Sequence, residues 1–326
     1  MSLRWLTRKL NPECICTALV QPFISTVLVE MKIVKTNLKF KDLGTKPFAI
    51  ETAPEHIKLH SVSLLVGKRG SGKSFFASNL LDWLDFDRII IVSPTYDSNY
   101  AQFKRLGVAK EDIFDPDDPQ VVQKIINIVN TERDELVDYR QKLKMLKELK
   151  EIIKHPYDLT ENYHLFNEFI TFDGKWIQPK HKWGGRKPKI GVFVDDAQST
   201  RIFRNRHFLN LCTRSRHIGS FEGDEASIGI SLFIACQNYT ATGGGLPRAV
   251  RGNATHMALW RTKNKDELNL IAKEMAGEVS PEKFIEVYDY IMSDEEDRHV
   301  FMFIDLHKKD NHPSMFRKNY TDFVVM

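Results

Sequence analysis

The chain has 326 residues, of which 42% are hydrophobic and 28% charged, and a formal net charge of +4. That is the composition of an ordinary soluble globular protein, long enough for one large α/β domain or one domain with a sizeable insertion. The charge is too small to argue for a nucleic-acid partner by itself. Four cysteines without two CxxC pairs exclude a zinc site of that kind and fit a reducing intracellular compartment.

Residues 1–45 read as an N-terminal extension, followed by one domain over 46–326. The apolar run at 16–31 is interrupted by Gln21, Pro22 and Glu30 and is shorter than the roughly 20 residues of a spanning helix, so no membrane anchor is expected. Arg4, Arg8 and Lys9 resemble the start of a signal peptide, but Glu13 and the missing small-residue cleavage site argue against one.

Residues 61–66 form a short apolar strand pattern that runs into Gly67, Lys68, Arg69, Gly70, Ser71, Gly72, Lys73, Ser74 and Phe75. This is a phosphate-binding Walker A loop. Its glycines let backbone N–H groups wrap an anion, Lys73 brings a charge to the β- and γ-phosphates, and the Ser74 hydroxyl ligates magnesium. The helix that begins there carries Phe76, Leu80 and Leu84 on one stripe and turns its positive end toward the phosphates. A second buried strand is expected at 88–93.

Residues 118–155 open on a Pro-Asp-Asp-Pro turn and continue as a charged helical pattern, read as a solvated surface helix. With the aromatic and proline-rich residues that follow, 118–189 is expected to be an insertion of helix and loop. Its end is basic and free of acids: Lys175, Lys180, Lys182, Arg186, Lys187 and Lys189, with Trp176 and Trp183 between them. Such a stretch suits either phosphate-backbone contact or an exposed loop.

The apolar run 190–194 ends in Asp195 and Asp196. Two acids at a strand tip beside bound phosphates can divide labour, Asp195 holding magnesium and Asp196 polarising the attacking water. About 120 residues separate them from the loop, which leaves room for a further strand, with 88–93 as the candidate. Between Thr200 and Phe221 lie Arg201, Arg204, Arg206, Arg214 and Arg216 and no acid. They fit a solvated helix face, a DNA-contacting patch, or the source of an arginine finger acting across a subunit interface. The strand pattern at 228–236 ends on Gln237, whose amide can sense the γ-phosphate or the attacking water. Further strands are expected at 255–260 and 299–305. Near-continuous apolar strands alternating with helices imply a mainly parallel central sheet with helices on both faces.

The order of these pieces resembles the genome-packaging ATPases of large DNA viruses, the poxvirus A32-like branch of the FtsK/HerA superfamily. The resemblance spans roughly residues 55–305. It rests on Ser93-Pro94-Thr95-Tyr96-Asp97-Ser98-Asn99-Tyr100, on the Asp195-Asp196 ending, and on Arg216-His217 ahead of Cys236-Gln237-Asn238-Tyr239. The segment from Leu246 to His256 is also similar to one of that family. It implies a RecA-like P-loop NTPase core that binds ATP and Mg2+, with Lys73, Asp196 and Gln237 catalytic, Ser74 and Asp195 at the metal, and Arg216 as the finger that completes a neighbour's site. It further implies a homo-oligomeric ring, pentamer or hexamer, that moves double-stranded DNA into a preformed capsid. Capsid vertex or portal proteins would be partners, and the setting would be the host cytoplasm, a viral factory or the virion. The 118–189 insertion is longer than in compact members, and the glycine-rich loop 240–245 is expected to face a pore or to link two elements. The alternatives are an FtsK/HerA-type DNA pump of cells or mobile elements, and a nucleotide-switched assembly factor of the Zot type.

Overall fold

The structure is a computed structural model and describes residues 52–96, 103–154, 163–223, 225–240 and 245–326. The N-terminal extension, the Asp97–Tyr100 part of the family-like segment and most of the 240–245 loop lie outside the described residues.

Six strands pair in parallel: β1 (Val62–Val66), β2 (Arg88–Val92), β3 (Ile113–Phe114), β4 (Ile190–Val194), β5 (Ser231–Cys236) and β6 (His256–Trp260). Three more, β7 (Phe301–Asp305), β8 (Phe316–Lys318) and β9 (Asp322–Phe323), continue the sheet antiparallel. The order is β3-β2-β4-β5-β1-β6-β7-β8-β9.

The sheet is covered on both faces, which is why its central strands carry almost no polar residues. Side chains alternate along each strand. On β1, Val62, Leu64 and Val66 join one core and Leu65 the other. The first core is closed by α2 (Val121–Ile152), α4 (Arg206–Arg214), α5 (Lys265–Met275) and α6 (Pro281–Met292), through residues such as Val129, Phe208, Ile271 and Phe284. The second is closed by α1 (Lys73–Trp83) through Phe76, Ala77, Leu80 and Leu81, with Leu84 just beyond its end.

The long helix α2 is only half the solvated rod its charges suggest. Its first turns bury Val121, Val122, Ile125 and Val129 against the sheet. Farther on, Leu146 and Leu149 pack with Leu165 and Phe169 of α3 (Tyr163–Phe169) in a separate small cluster. At the join sits Glu132, with no solvent exposure at all. A buried carboxylate needs partners. It accepts from Arg88 Nη1 at 2.8 Å and Trp183 Nε1 at 2.7 Å, and its Oε1 lies 2.7 Å from Lys182 Nζ.

That hub explains the basic stretch at 175–189. Lys182 also reaches Glu135, Arg186 pairs with Asp87, Lys187 with Glu225, and Lys189 with Asp85 at 3.0 Å. Lys175 pairs with Asp173 at 2.6 Å. The stretch holds itself to β2, α1's following turn and α2, and five of its six cations meet carboxylates of the chain.

Candidate active site

In a parallel sheet the carboxyl ends of the strands point to one edge, and the turns that leave them form a crevice. Here β1, β4 and β5 are adjacent and parallel, so Gly67, Asp195 and Gln237 emerge side by side. The ladder runs past the strand ends: Gly67 N–H donates to Cys236 O at 3.0 Å and Asp195 N–H to Val92 O at 3.0 Å. The strand between the Walker A strand and the acidic strand is therefore β5, which brings Gln237 between them. Residues 88–92 do form a strand, but on the outer side of β4. The sequential gap suggested β2 because neither order in the sheet nor crossover direction is visible in spacing.

The loop from Gly67 to Ser74 has the shape its glycines predict. A Cβ on Gly67 would stand 2.7 Å from Ser71 Oγ and 2.9 Å from Trp260 Cβ, so only glycine fits where β1 turns against β6. Gly72 has φ 100°, a region that L side chains rarely adopt. α1 begins directly after it with neither a side-chain cap nor an acid in its first turn. Its positive end thus faces the loop uncompensated, which suits an anion. Lys73 Nζ lies inside, donating to Gly67 O at 2.6 Å and Lys68 O at 3.0 Å. Burial lowers the Lys73 pKa, while Asp195, Cys236 and Asp196 oppose that shift. An ammonium so placed gains a stronger counter-charge when a polyphosphate enters.

The two acids have different environments. Asp195 is 2% exposed and accepts from Ser74 Oγ at 2.9 Å. Burial raises its pKa; the Ser74 hydrogen bond and Lys73 pull it down, and the charge of Asp196 pushes it up. A group that suffers from desolvation next to a like charge is stabilised by a cation, so Ser74 and Asp195 fit magnesium. Asp196 has φ 49°, a left-handed conformation that Asp tolerates, and its side chain turns out of the strand line to the exposed surface. There it lies 3.5 Å from Thr95 Oγ1. The described part of the Ser93–Tyr100 segment thus borders the second acid.

Gln198 is a site residue that the sequence reading missed. Its Oε1 accepts from Gln237 N–H at 2.7 Å and its Nε2 donates to Asn238 O at 2.8 Å. This two-point clamp ties the turn after Asp195-Asp196 to the tip of β5. Its one sequence signal was a carboxamide two residues past the acids, which ordinary loops also carry.

Beside the loop, on the β6–β7 side, a cavity of about 530 Å³ is lined by Ser71, Gly72, Phe75, Asn79, Trp83, Trp260, His299, Phe301 and Asn319. Phe75 and Trp83 are 64% and 42% exposed there. His299 Nδ1 lies 3.2 Å from Ser71 O, which fixes the cavity wall to the loop.

Arg216 does not join this constellation. It lies in the short turn Ser215–His217, and Ile230 N–H donates to Ser215 O at the opposite, entry end of β5. The length of the sheet separates it from its own loop.

No protein-family model and no curated protein matches the chain. Solved structures do match it, at low identity. The genome packaging NTPase B204 from Sulfolobus turreted icosahedral virus 2, in complex with sulfate, is 14% identical with a TM-score of 0.41, covering 79% of this chain and 95% of its own. VirB4 of Thermoanaerobacter pseudethanolicus is 16% identical, TM-score 0.38, over 74% and 86% of the two chains. The pCW3 conjugation coupling protein TcpA with ATPγS is 16% identical, TM-score 0.34, over 80% and 61%. The sheet order and the strand-loop-helix of Gly67–Ser74 make this chain a P-loop NTPase in fold.

Proposed function

We propose that the chain hydrolyses ATP at the carboxyl edge of β1, β5 and β4. It would use that energy, as a homo-oligomeric ring, to move double-stranded viral DNA into a preformed capsid through capsid vertex or portal proteins. The observation that carries the chemistry is the Ser74–Asp195 contact at 2.9 Å with Asp196 and Gln237 held beside it. The DNA and the capsid rest on the motif resemblance.

In this reading the backbone of residues 69–74 and Lys73 hold the β- and γ-phosphates. The aromatic cavity between Phe75, Trp83 and Phe301 takes the adenine base, whose flat apolar faces suit stacking. Ser74 and Asp195 would hold Mg2+, which when bound neutralises charge on the β- and γ-phosphate oxygens. Asp196, exposed and not engaged by Ser74, accepts the proton of the attacking water. Gln237, positioned by Gln198, orients that water or contacts the γ-phosphate. Arg216, remote from its own loop, acts on a neighbour's nucleotide.

ATPase rate measured with double-stranded DNA, single-stranded DNA and no DNA, across salt concentrations, tests the reading. Strong stimulation by duplex with a steep salt dependence is expected. Indifference to DNA would favour a nucleotide-switched assembly factor instead.

A further inference from the structure

At the opposite edge of the sheet, where β1 and β6 begin, lies a second cavity of about 280 Å³. Its wall includes Lys58, Ser61, Arg216, Asn253, His256 and His307, and no lining residue is acidic. Arg216 is within ion-pair distance of no carboxylate among the described residues; its Nε donates to His217 Nε2 at 3.1 Å, which leaves both terminal nitrogens of the guanidinium uncommitted. Among the described residues, Lys58 Nζ has only the Lys308 carbonyl, at 3.3 Å. Ser61 is 3% exposed, and its buried hydroxyl has no hydrogen-bond partner among the described residues. Behind the wall, Asp305 lies 3.1 Å from His256, 3.6 Å from His312 and 3.8 Å from Arg317. Burial lowers the His307 pKa, and His256, Lys58 and Arg216 lower it further against Asp305. Lys58 and Arg216 thus stand on one cavity wall that carries no carboxylate among the described residues.

We propose that this pocket binds a terminal phosphate group. Two cations at its mouth and an unpartnered hydroxyl in its wall match a tetrahedral dianion entering end-on, with Arg216 offering two parallel N–H donors. The terminal phosphate has two sources, a nucleotide bound to a neighbouring copy of the chain or a free phosphate compound.

Inorganic phosphate titrated calorimetrically into the Lys73→Ala protein tests the pocket where hydrolysis at the Walker loop plays no part, so failure here is separate from failure of the ATPase reading. Phosphate should bind, and Lys58→Ala and Arg216→Ala, each added to Lys73→Ala, should weaken it by about tenfold or more, the loss expected for a charge-assisted contact. Both substituted positions are exposed, and unchanged circular dichroism would show that the fold is kept. Absence of binding, or binding that both variants leave within about twofold, overturns the proposal. In parallel, hydrolysis per chain is followed against protein concentration in an otherwise wild-type background. If Lys58→Ala removes a rise with concentration, the pocket is supported with a neighbour's nucleotide as source. If phosphate binding is Lys58-dependent but that rise is unchanged, it is supported with a free phosphate as source.

Discussion

Two stretches of this chain look alike as text, both rich in cations and free of acids, and the fold treats them in opposite ways. In 175–189, Lys175, Lys182, Arg186, Lys187 and Lys189 each meet a carboxylate, and Trp183 closes over Glu132. In 201–216, Arg201, Arg204, Arg206, Arg214 and Arg216 are all exposed, and none lies within ion-pair distance of a carboxylate among the described residues. The first stretch uses charge to dock an insertion. The second leaves its charge in solvent. Local composition does not separate these cases, because the deciding carboxylates come from Asp85, Asp87, Glu132 and Glu225, distant in sequence.

The largest expected effect concerns the free arginines. Arg216→Ala should lower ATP hydrolysis by about a thousandfold if the residue acts as a finger, with little change in melting temperature. Mixed with wild-type chains, it should depress activity by more than dilution; a purely proportional loss would remove the role in trans. Glu132→Ala reaches into the docked stretch instead. It leaves Arg88, Lys182 and the Trp183 indole without their common partner, and should cost about 3 kcal/mol in denaturant unfolding. An unchanged midpoint would show that the hub is not holding the insertion.

A smaller contrast separates the stretches in DNA binding. Replacing Arg201 and Arg204 by alanine should reduce the slope of log affinity against log salt by about 2, whereas Lys182→Ala with Arg186→Ala should leave it unaltered. Equal slopes for both pairs would erase the distinction. The smallest effect is acid sensitivity of docking. Burial alone would raise the pKa values of Asp87, Glu132 and Glu225, but hydrogen bonds from Arg186 to Asp87, from Lys182, Trp183 and Arg88 to Glu132, and from Lys187 and Arg140 to Glu225 outweigh it. Carboxyls held below their ordinary values contribute stability above those values and lose it as pH falls through the lowered ones. Protease sensitivity within 175–189 should thus stay flat at neutral pH and rise only below about pH 4.5, the ordinary value for Glu132.

Five of the six parallel strands and the antiparallel Phe301–Asp305 were legible because burial on both faces leaves a continuous apolar signature. All of the predicted strands 61–66, 88–93, 190–194, 228–236, 255–260 and 299–305 contain one in the fold, each trimmed by up to three residues. The strands Ile113–Phe114, Phe316–Lys318 and Asp322–Phe323 were not legible, since two or three residues carry no period. Within the site, Gly67–Ser74 could be read because backbone geometry restricts the residues allowed there. The Gln198 clamp could not, because it joins side chain to backbone across two turns that meet only in the folded sheet. Nor could the inner face of Val121–Ile152, where Glu132 is buried by partners from β2 and from residues 182–183.

The central claim, that the crevice around Lys73 turns over ATP, is tested most directly by steady-state hydrolysis with the purified chain and its Lys73→Ala variant, with and without magnesium. The account predicts magnesium-dependent turnover by the wild type that falls by at least about a hundredfold in the variant. Hydrolysis by Lys73→Ala at the wild-type rate would contradict it.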